Sequence, residues 1–131
     1  MFVDASAIVA ILVREAEAPA FEARLAQASR IHTSSIAIYE ATLGIARVLN
    51  ISVAAAEVEV ANFVTETEAQ VIAITADIGR EAIRAFERYG RGRHPARLNM
   101  GDCFAYACAR ALGVPLLFKG DDFAQTDIAA G

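Results

Sequence analysis

Phe2-Val3-Asp4-Ala5-Ser6 carries a short apolar segment straight into a carboxylate. An apolar run of this kind reads as a strand buried on both faces, which places Asp4 at the carboxyl end of a central strand, where open α/β sheets bind their ligands. Asp is also a favoured N-cap, so capping of a helix that begins at Ala5 or Ser6 is an equal reading of Asp4 alone. The other carboxylates have to decide between the two.

From this segment outward the chain alternates apolar runs with helical periods, the pattern of a parallel sheet covered by helices. Ala7 to Arg14 reads as a helix, and a second begins near Pro19, a residue suited to a first helical turn, with Phe21 and Leu25 on its inner face. Arg30 to Thr33 is a strand candidate. Ser34 or Ser35 then offers an N-cap for a long helix to about Asn50, and Ser52 caps another that runs to about Glu68. In that helix Val58, Val60, Phe63 and Val64 exceed what a narrow core-facing stripe requires, so it reads equally as ordinary core packing or as a groove or dimer surface. Gln70 to Ile74 is β-branched and strand-like, and Thr75 caps a helix that ends at Tyr89-Gly90. Arg91 to Leu98 is a basic loop, Asn99 opens a helix to Leu112 with Gly113 as its C-cap, and Val114 to Phe118 is a fourth strand. Asp127 to Ala130 is the candidate for a short edge strand.

The 131 residues make one domain, 1–131, in which 56% hydrophobic and 21% charged residues call for a well-packed interior. Ala7 to Val13 lacks a basic leader, follows Asp4 and is far too short to span a bilayer, so the protein is expected in the cytoplasm with no membrane partner. Cys103 and Cys108 lie five apart in a helical pattern. That separates them by about 7.5 Å along the axis and turns them to different faces, so no intrachain disulfide is expected. The net charge of −4 speaks weakly against nucleic-acid binding, yet Arg80, Arg84, Arg88, Arg91, Arg93 and Arg97 stand against only Glu81 and Glu87 in their stretch.

Glu40 and Arg47 are the only charged residues between Ile36 and Leu49, and the neighbours of Glu40 one turn away are Ile36, Ala37, Leu43 and Gly44. A carboxylate on so apolar a surface needs a cation, either Arg47 or a metal ion. Asp102 lies three residues after Asn99, in a helix apolar almost all round, and reads either as the acidic half of a capping box or as a site acid in the one accessible turn. Asp121 and Asp122 follow Leu116-Leu117-Phe118, again at a strand's carboxyl end, where Gly-Asp-Asp is also an ordinary turn. The combination is harder to dismiss than any single acid. Four or five carboxylates would converge on one edge of the sheet, and two of them about 5 Å apart at an effective dielectric of about 20 repel by roughly 3 kcal/mol. Hard divalent cations with oxygen ligands, Mg²⁺ or Mn²⁺, are the natural solution, and no Cys/His cluster suggests zinc.

Phe2-Val3-Asp4-Ala5-Ser6-Ala7, Ser35-Ile36-Ala37-Ile38-Tyr39-Glu40, Leu98-Asn99-Met100-Gly101-Asp102-Cys103 and Leu116-Leu117-Phe118-Lys119-Gly120-Asp121-Asp122-Phe123 together resemble the PIN-domain ribonucleases, in particular the VapC toxins of bacterial toxin-antitoxin pairs. The resemblance covers essentially the whole chain. It implies an α/β/α sandwich with a parallel sheet of four to five strands in the order 3-2-1-4-5, an acidic Mg²⁺ or Mn²⁺ site, cleavage of RNA, a VapB-like antitoxin and a homodimer. Asp4, Glu40 and Asp102 match the family's first three acids, with Asp4 and Asp102 the usual metal ligands, and Ser6 matches the small hydroxyl residue beside the first acid. The commoner family ending places acid, any residue, acid, aromatic, which would set Gly120 where the first of those acids stands. The fourth acid is therefore Asp121 or Asp122.

The chemistry expected of such a site is metal-assisted hydrolysis of an RNA phosphodiester, with Arg91, Arg93, Arg97 and Lys119 holding the phosphate backbone. His94 reads as a loop residue and His32 as a packing residue on a strand flank. Two readings from other classes compete. A phospho-accepting receiver domain also has an early Asp and a late lysine, but Ile74-Thr75-Ala76 offers no acceptor at the strand end. A catalytically dead module would keep the fold and bind RNA or protein without binding metal.

Overall fold

The structure, a computed structural model, describes residues 1–131. Its centre is β1 (Phe2–Val3), which has parallel neighbours on both sides: β2 (His32–Ser34) on one and β4 (Leu116–Leu117) on the other. β3 (Gln70–Ile72) pairs with the far side of β2, giving a parallel sheet of order β3-β2-β1-β4. Successive strand residues point to opposite faces, and two cores follow from that alternation. Phe2 and Leu116 enter the one built by α5 (Ala76–Tyr89) and α6 (Met100–Leu112). Val3 and Leu117 enter the other, built by α1 (Ala5–Leu12), α2 (Ala18–Gln27), α3 (Ser35–Leu49) and α4 (Val53–Glu66). All four of these strand residues are fully buried. This is the expected α/β/α sandwich.

The fifth strand position is filled by one bridge. Leu116 pairs in parallel with Ala130, its N–H donating to Ala129 O at 2.9 Å and its carbonyl accepting from Gly131 N at 2.8 Å. Upstream of that bridge the Tyr106 hydroxyl donates to Asp127, with Arg88 and Arg110 at 3.7 and 3.6 Å from the same carboxylate. These contacts tie the chain's end to α5 and α6.

The helix boundaries follow the capping chemistry. Ser34, Ser52, Thr75 and Asn99 each accept a hydrogen bond from the backbone N–H three residues on, and Asn50 and Gly113 end α3 and α6 in the left-handed region at φ 51° and 65°. The strands are shorter than their apolar runs suggest. β2 is shifted to His32–Ser34 and β3 stops at Ile72, because a ladder can extend only as far as its neighbour, and β1 has two residues before Asp4 begins to cap α1. Of the four apolar residues singled out on α4, Val60 and Phe63 are core, Val64 packs against it, and Val58 faces solvent. Apolar side chains are exposed on α5 and the start of α6, where Ile83, Phe86 and Met100 are 69%, 42% and 64% exposed, and also on α3 and the start of α4, where Tyr39, Val48 and Val53 are 64%, 54% and 53% exposed. No helix is long and apolar enough to cross a membrane.

Candidate active site

The two readings of Asp4 turn out to be one arrangement. Asp4 ends β1 in an extended conformation and caps α1, its Oδ2 accepting from Ser6 N at 3.0 Å and from the Ser6 hydroxyl. Ser6 Oγ in turn accepts from Lys119 N at 3.0 Å, so the loop after β4 is stitched to the end of β1 through the serine. Asp4 is 5% exposed. Burial pushes its carboxyl above the ordinary carboxylate range; the Ser6 hydrogen bonds oppose that rise, and the charge of Asp122 adds to it.

Glu40 reaches the same edge from α3. It is half-buried, its carboxylate lies against Gly101 of α6, and none of the chain's ion pairs includes it or Arg47. Burial first, then the charges of Asp4 and Asp102, push it up to about 7. Asp102 occupies the third position of α6, and its capping box is real: Asp102 N donates to Asn99 Oδ1 at 2.9 Å while Asp102 Oδ2 accepts from Asn99 N at 3.0 Å. Burial raises Asp102 to about 6 against the pull of that Asn99 bond; Asp4 and Asp122 raise it further and Arg91 lowers it. The cap therefore fixes the carboxylate without removing it from the electrostatics of the cluster.

Asp121 and Asp122 are both exposed in the loop after β4, but they are not equivalent. Asp122 precedes the 3₁₀ turn Phe123–Gln125, and its charge bears on both Asp4 and Asp102; Asp121 bears on neither. Asp4, Glu40, Asp102 and Asp122 thus share one electrostatic neighbourhood. No three Asp, Glu, His or Cys side chains come close enough together to hold one ion as they stand. The donor chemistry nevertheless suits a hard cation. The acids of the cluster offer carboxylate oxygens, which suit a hard cation, and burial and then Asp102 push the neighbouring Cys103 thiol up to about 11 in the metal-free protein.

The basic loop borders this edge. Its backbone is pinned by Arg91 N donating to Leu98 O at 3.0 Å and Leu98 N donating to Tyr89 O at 2.9 Å, with Ala96 and Leu98 buried beneath. Arg91, Arg93 and Arg97 project outward and line one open depression. His94 anchors the loop: its Nδ1 accepts from Ala96 N at 3.0 Å and its ring meets Tyr89 edge-on. His32 packs between β1 and β3 with Nδ1 unpartnered. Lys119 is placed in a way its position in the motif does not suggest. Its ammonium pairs with Glu15 and Glu17, two residues with no signal in the sequence for this contact, and it meets the site only through its backbone N–H to Ser6.

The raised acid at Glu40 has a consequence for stability. Its folded-state value of about 7 exceeds its ordinary 4.5, so the folded protein binds more protons than the unfolded chain across that window, and metal-free stability falls as pH rises through it. Glu40→Gln is neutral at every pH. The metal-free variant should therefore melt above wild type at pH 8, with the gap closing as pH falls to about 4.5. Parallel melting curves against pH would show that Glu40 carries no such burden.

The PIN domain family model matches residues 1–129. Ribonuclease VapC30 of Mycobacterium tuberculosis strain H37Rv is 40% identical over 129 residues, covering 98% of this chain and 96% of that protein. Ribonuclease VapC of Mycolicibacterium smegmatis is 39% identical over 130 residues, covering 99% and 98%. Among solved structures, the crystal structure of Mycobacterium tuberculosis VapC20, described as a sarcin-ricin loop cleaving toxin, superposes with a TM-score of 0.79 at 20% identity, covering 99% of this chain and 97% of that one. A toxin-antitoxin complex from Klebsiella pneumoniae contains a chain that superposes with a TM-score of 0.71 at 18% identity, covering 99% and 95%. The parallel sheet, the acids at its carboxyl edge and these likenesses over nearly the full length agree: the chain belongs to the PIN-domain family, as a VapC-type ribonuclease.

Proposed function

We propose that this protein is a divalent-metal-dependent endoribonuclease toxin that hydrolyses RNA phosphodiester bonds at the Asp4, Glu40, Asp102 and Asp122 cluster and is silenced by a VapB-like antitoxin. The observation that carries this reading is the convergence of Asp4, Glu40 and Asp102 on one edge of the sheet, each raised above the ordinary carboxylate range by burial first and by a neighbouring acid second. Buried carboxylates that repel one another and have no basic side chain in ion-pair contact are stabilised by a divalent cation, and a VapC-type chain supplies the context for one.

Bound Mg²⁺ or Mn²⁺ would supply Lewis acidity to the phosphate and acidify water. Asp4 and Asp102 are the residues to hold it. Ser6 fixes one oxygen of Asp4 and Asn99 fixes one of Asp102, which orients both carboxylates before any ion arrives. Glu40, whose carboxylate lies against Gly101 next to Asp102, is placed to take a proton from the attacking water. The water oxygen forms the new bond to phosphorus, the bridging P–O bond to the leaving nucleoside breaks, and the leaving oxygen takes up a proton. Asp122, whose charge bears on both metal-holding acids, is the better candidate than Asp121 for the fourth acid. Arg91, Arg93 and Arg97 would grip phosphates flanking the scissile bond.

A groove between α1, α2 and α4 supports the antitoxin as partner. Its floor is Ile11, Leu25, Ile31 and Phe63, at the end of α1 away from Asp4, with Arg14, Glu59 and Glu66 around it, which suits an amphipathic segment that lays its apolar face on the floor. The exposed Ile83, Phe86 and Met100 favour a homodimer contact on the α5 and α6 side. A catalytically dead module remains the competing reading, and metal binding separates the two.

Asp102→Asn keeps an oxygen for the Asn99 N–H and removes the charge, so it should abolish RNA cleavage with the fold intact. Wild type with Mn²⁺ at about 100 times its dissociation constant should gain about 2.7 kcal/mol of stability that the variant lacks. Loss of folding in the variant would reduce Asp102 to a cap, and wild type indifferent to Mn²⁺ would favour the dead module. If the three arginines grip phosphates, replacing Arg91, Arg93 and Arg97 with Ala should weaken RNA binding and flatten its logarithmic salt slope by about two, from roughly 0.7 per contact on a single strand. An unchanged slope would remove them from the RNA path.

A further inference from the structure

We infer that Gly101 is a positioning residue: the side chain it lacks leaves the slot at the start of α6 in which the Glu40 carboxylate sits, so that residue 101 controls how Glu40 meets Asp4 and Asp102. The inference rests on the nuclease reading above.

Gly101 stands one residue before Asp102, buried in the first turn of α6. Glycine is among the least favourable residues for a helix, so its presence there calls for a reason. Backbone conformation is not the reason, because Gly101 is not among the residues with positive φ. Space is. A Cβ at this position would overlap both carboxylate oxygens and Cδ of Glu40, which are the three nearest atoms it would meet. The other helical or helix-ending glycines behave differently: at Gly44 a Cβ meets only Val9 Cγ2 at 3.1 Å, at Gly79 and Gly113 it meets nothing, and at Gly90 it runs into the Phe86 carbonyl and ring.

The nature of the obstruction decides what a substitution does. At Gly101 the clash is with the far end of one flexible side chain and not with backbone, so α6 can accept an alanine and Glu40 has to leave. Glu40 arrives from α3, far from Gly101 in sequence, and the charges of Asp4 and Asp102 bear on its carboxylate where it lies against Gly101. Displacing a group that completes or orients a metal site changes affinity or rate by about tenfold to a hundredfold, and a shift of about 1 Å in a reacting group is enough for the same loss of rate.

The test is a double-variant cycle on the full chain, with wild type, Gly101→Ala, Glu40→Ala and the double variant compared in melting temperature, Mn²⁺ affinity by calorimetry and single-turnover cleavage of a single-stranded RNA. Gly101→Ala should melt at or above wild type while its Mn²⁺ affinity falls about tenfold to a hundredfold. In the Glu40→Ala background, where the new Cβ meets no carboxylate, the same change should alter Mn²⁺ affinity by no more than about twofold. An equal loss in both backgrounds, no loss in either, or a Gly101→Ala protein that fails to fold would each overturn the inference. Wild type that neither binds Mn²⁺ nor cleaves RNA would overturn the nuclease reading and the inference with it, a pattern distinct from an active wild type whose Gly101→Ala variant is unimpaired.

Discussion

A carboxylate at the end of the strand that both cores share is the constraint from which the rest follows. β1 is so short that Asp4 lies at the boundary of the hydrophobic interior, almost fully buried, where an unpaired charge costs several kcal/mol. The chain offsets part of that cost with Ser6, which gives both its N–H and its hydroxyl to one oxygen of Asp4 while accepting from the backbone of Lys119. The acid thus joins the central strand, the first helix and the loop after β4. Glu40 and Asp102 hold their protons more tightly than isolated carboxylates do, by their own burial first and by the charge of Asp4 in addition.

Each site acid is held by something that is also structural. Asp4 caps α1, Asp102 closes a capping box with Asn99, and Glu40 fits the gap that Gly101 leaves. Capping stabilises a helix end by about 1 kcal/mol, and here the same hydrogen bonds fix rotamers at the carboxyl edge of the sheet. The result is a set of acids oriented by the fold, spread too widely to hold one ion as they stand, and raised in proton affinity by burial and by one another. Such strain in the metal-free state is the kind of local cost that proteins concentrate at functional sites.

Most of the architecture was legible because it is written in local chemistry. Ser34, Ser52, Thr75 and Asn99 announce helix starts, Gly113 an end, and the apolar run at Phe2-Val3 a strand buried on both faces; each of these reads the same in sequence and in structure. The convergence of the candidate acids Asp4, Asp102 and Asp122 was legible for the same reason, since strand ends and a capped first turn can be read from the sequence. What was hidden depends on contacts between residues far apart. The pairing of Lys119 with Glu15 and Glu17, the Tyr106 to Asp127 bond and the Glu40 to Gly101 contact leave no mark in spacing or composition. Strand lengths were overread because a parallel ladder stops where its neighbour stops, and on α4 the contacts with α1 and α3 decide which apolar residues are covered, with Val60 and Phe63 in the core and Val53 and Val58 exposed.

The most direct test of the central claim, that burial and neighbouring acids make these carboxylates hold protons more tightly until a divalent cation relieves them, is calorimetric titration of the metal-free protein with Mn²⁺ at pH 6.5 in two buffers of different ionisation enthalpy. With Glu40 at about 7 and Asp102 at about 6, binding should release protons, and the apparent enthalpy should differ between the buffers in proportion to the number released. Binding with the same enthalpy in both buffers, or no binding at all, would contradict it.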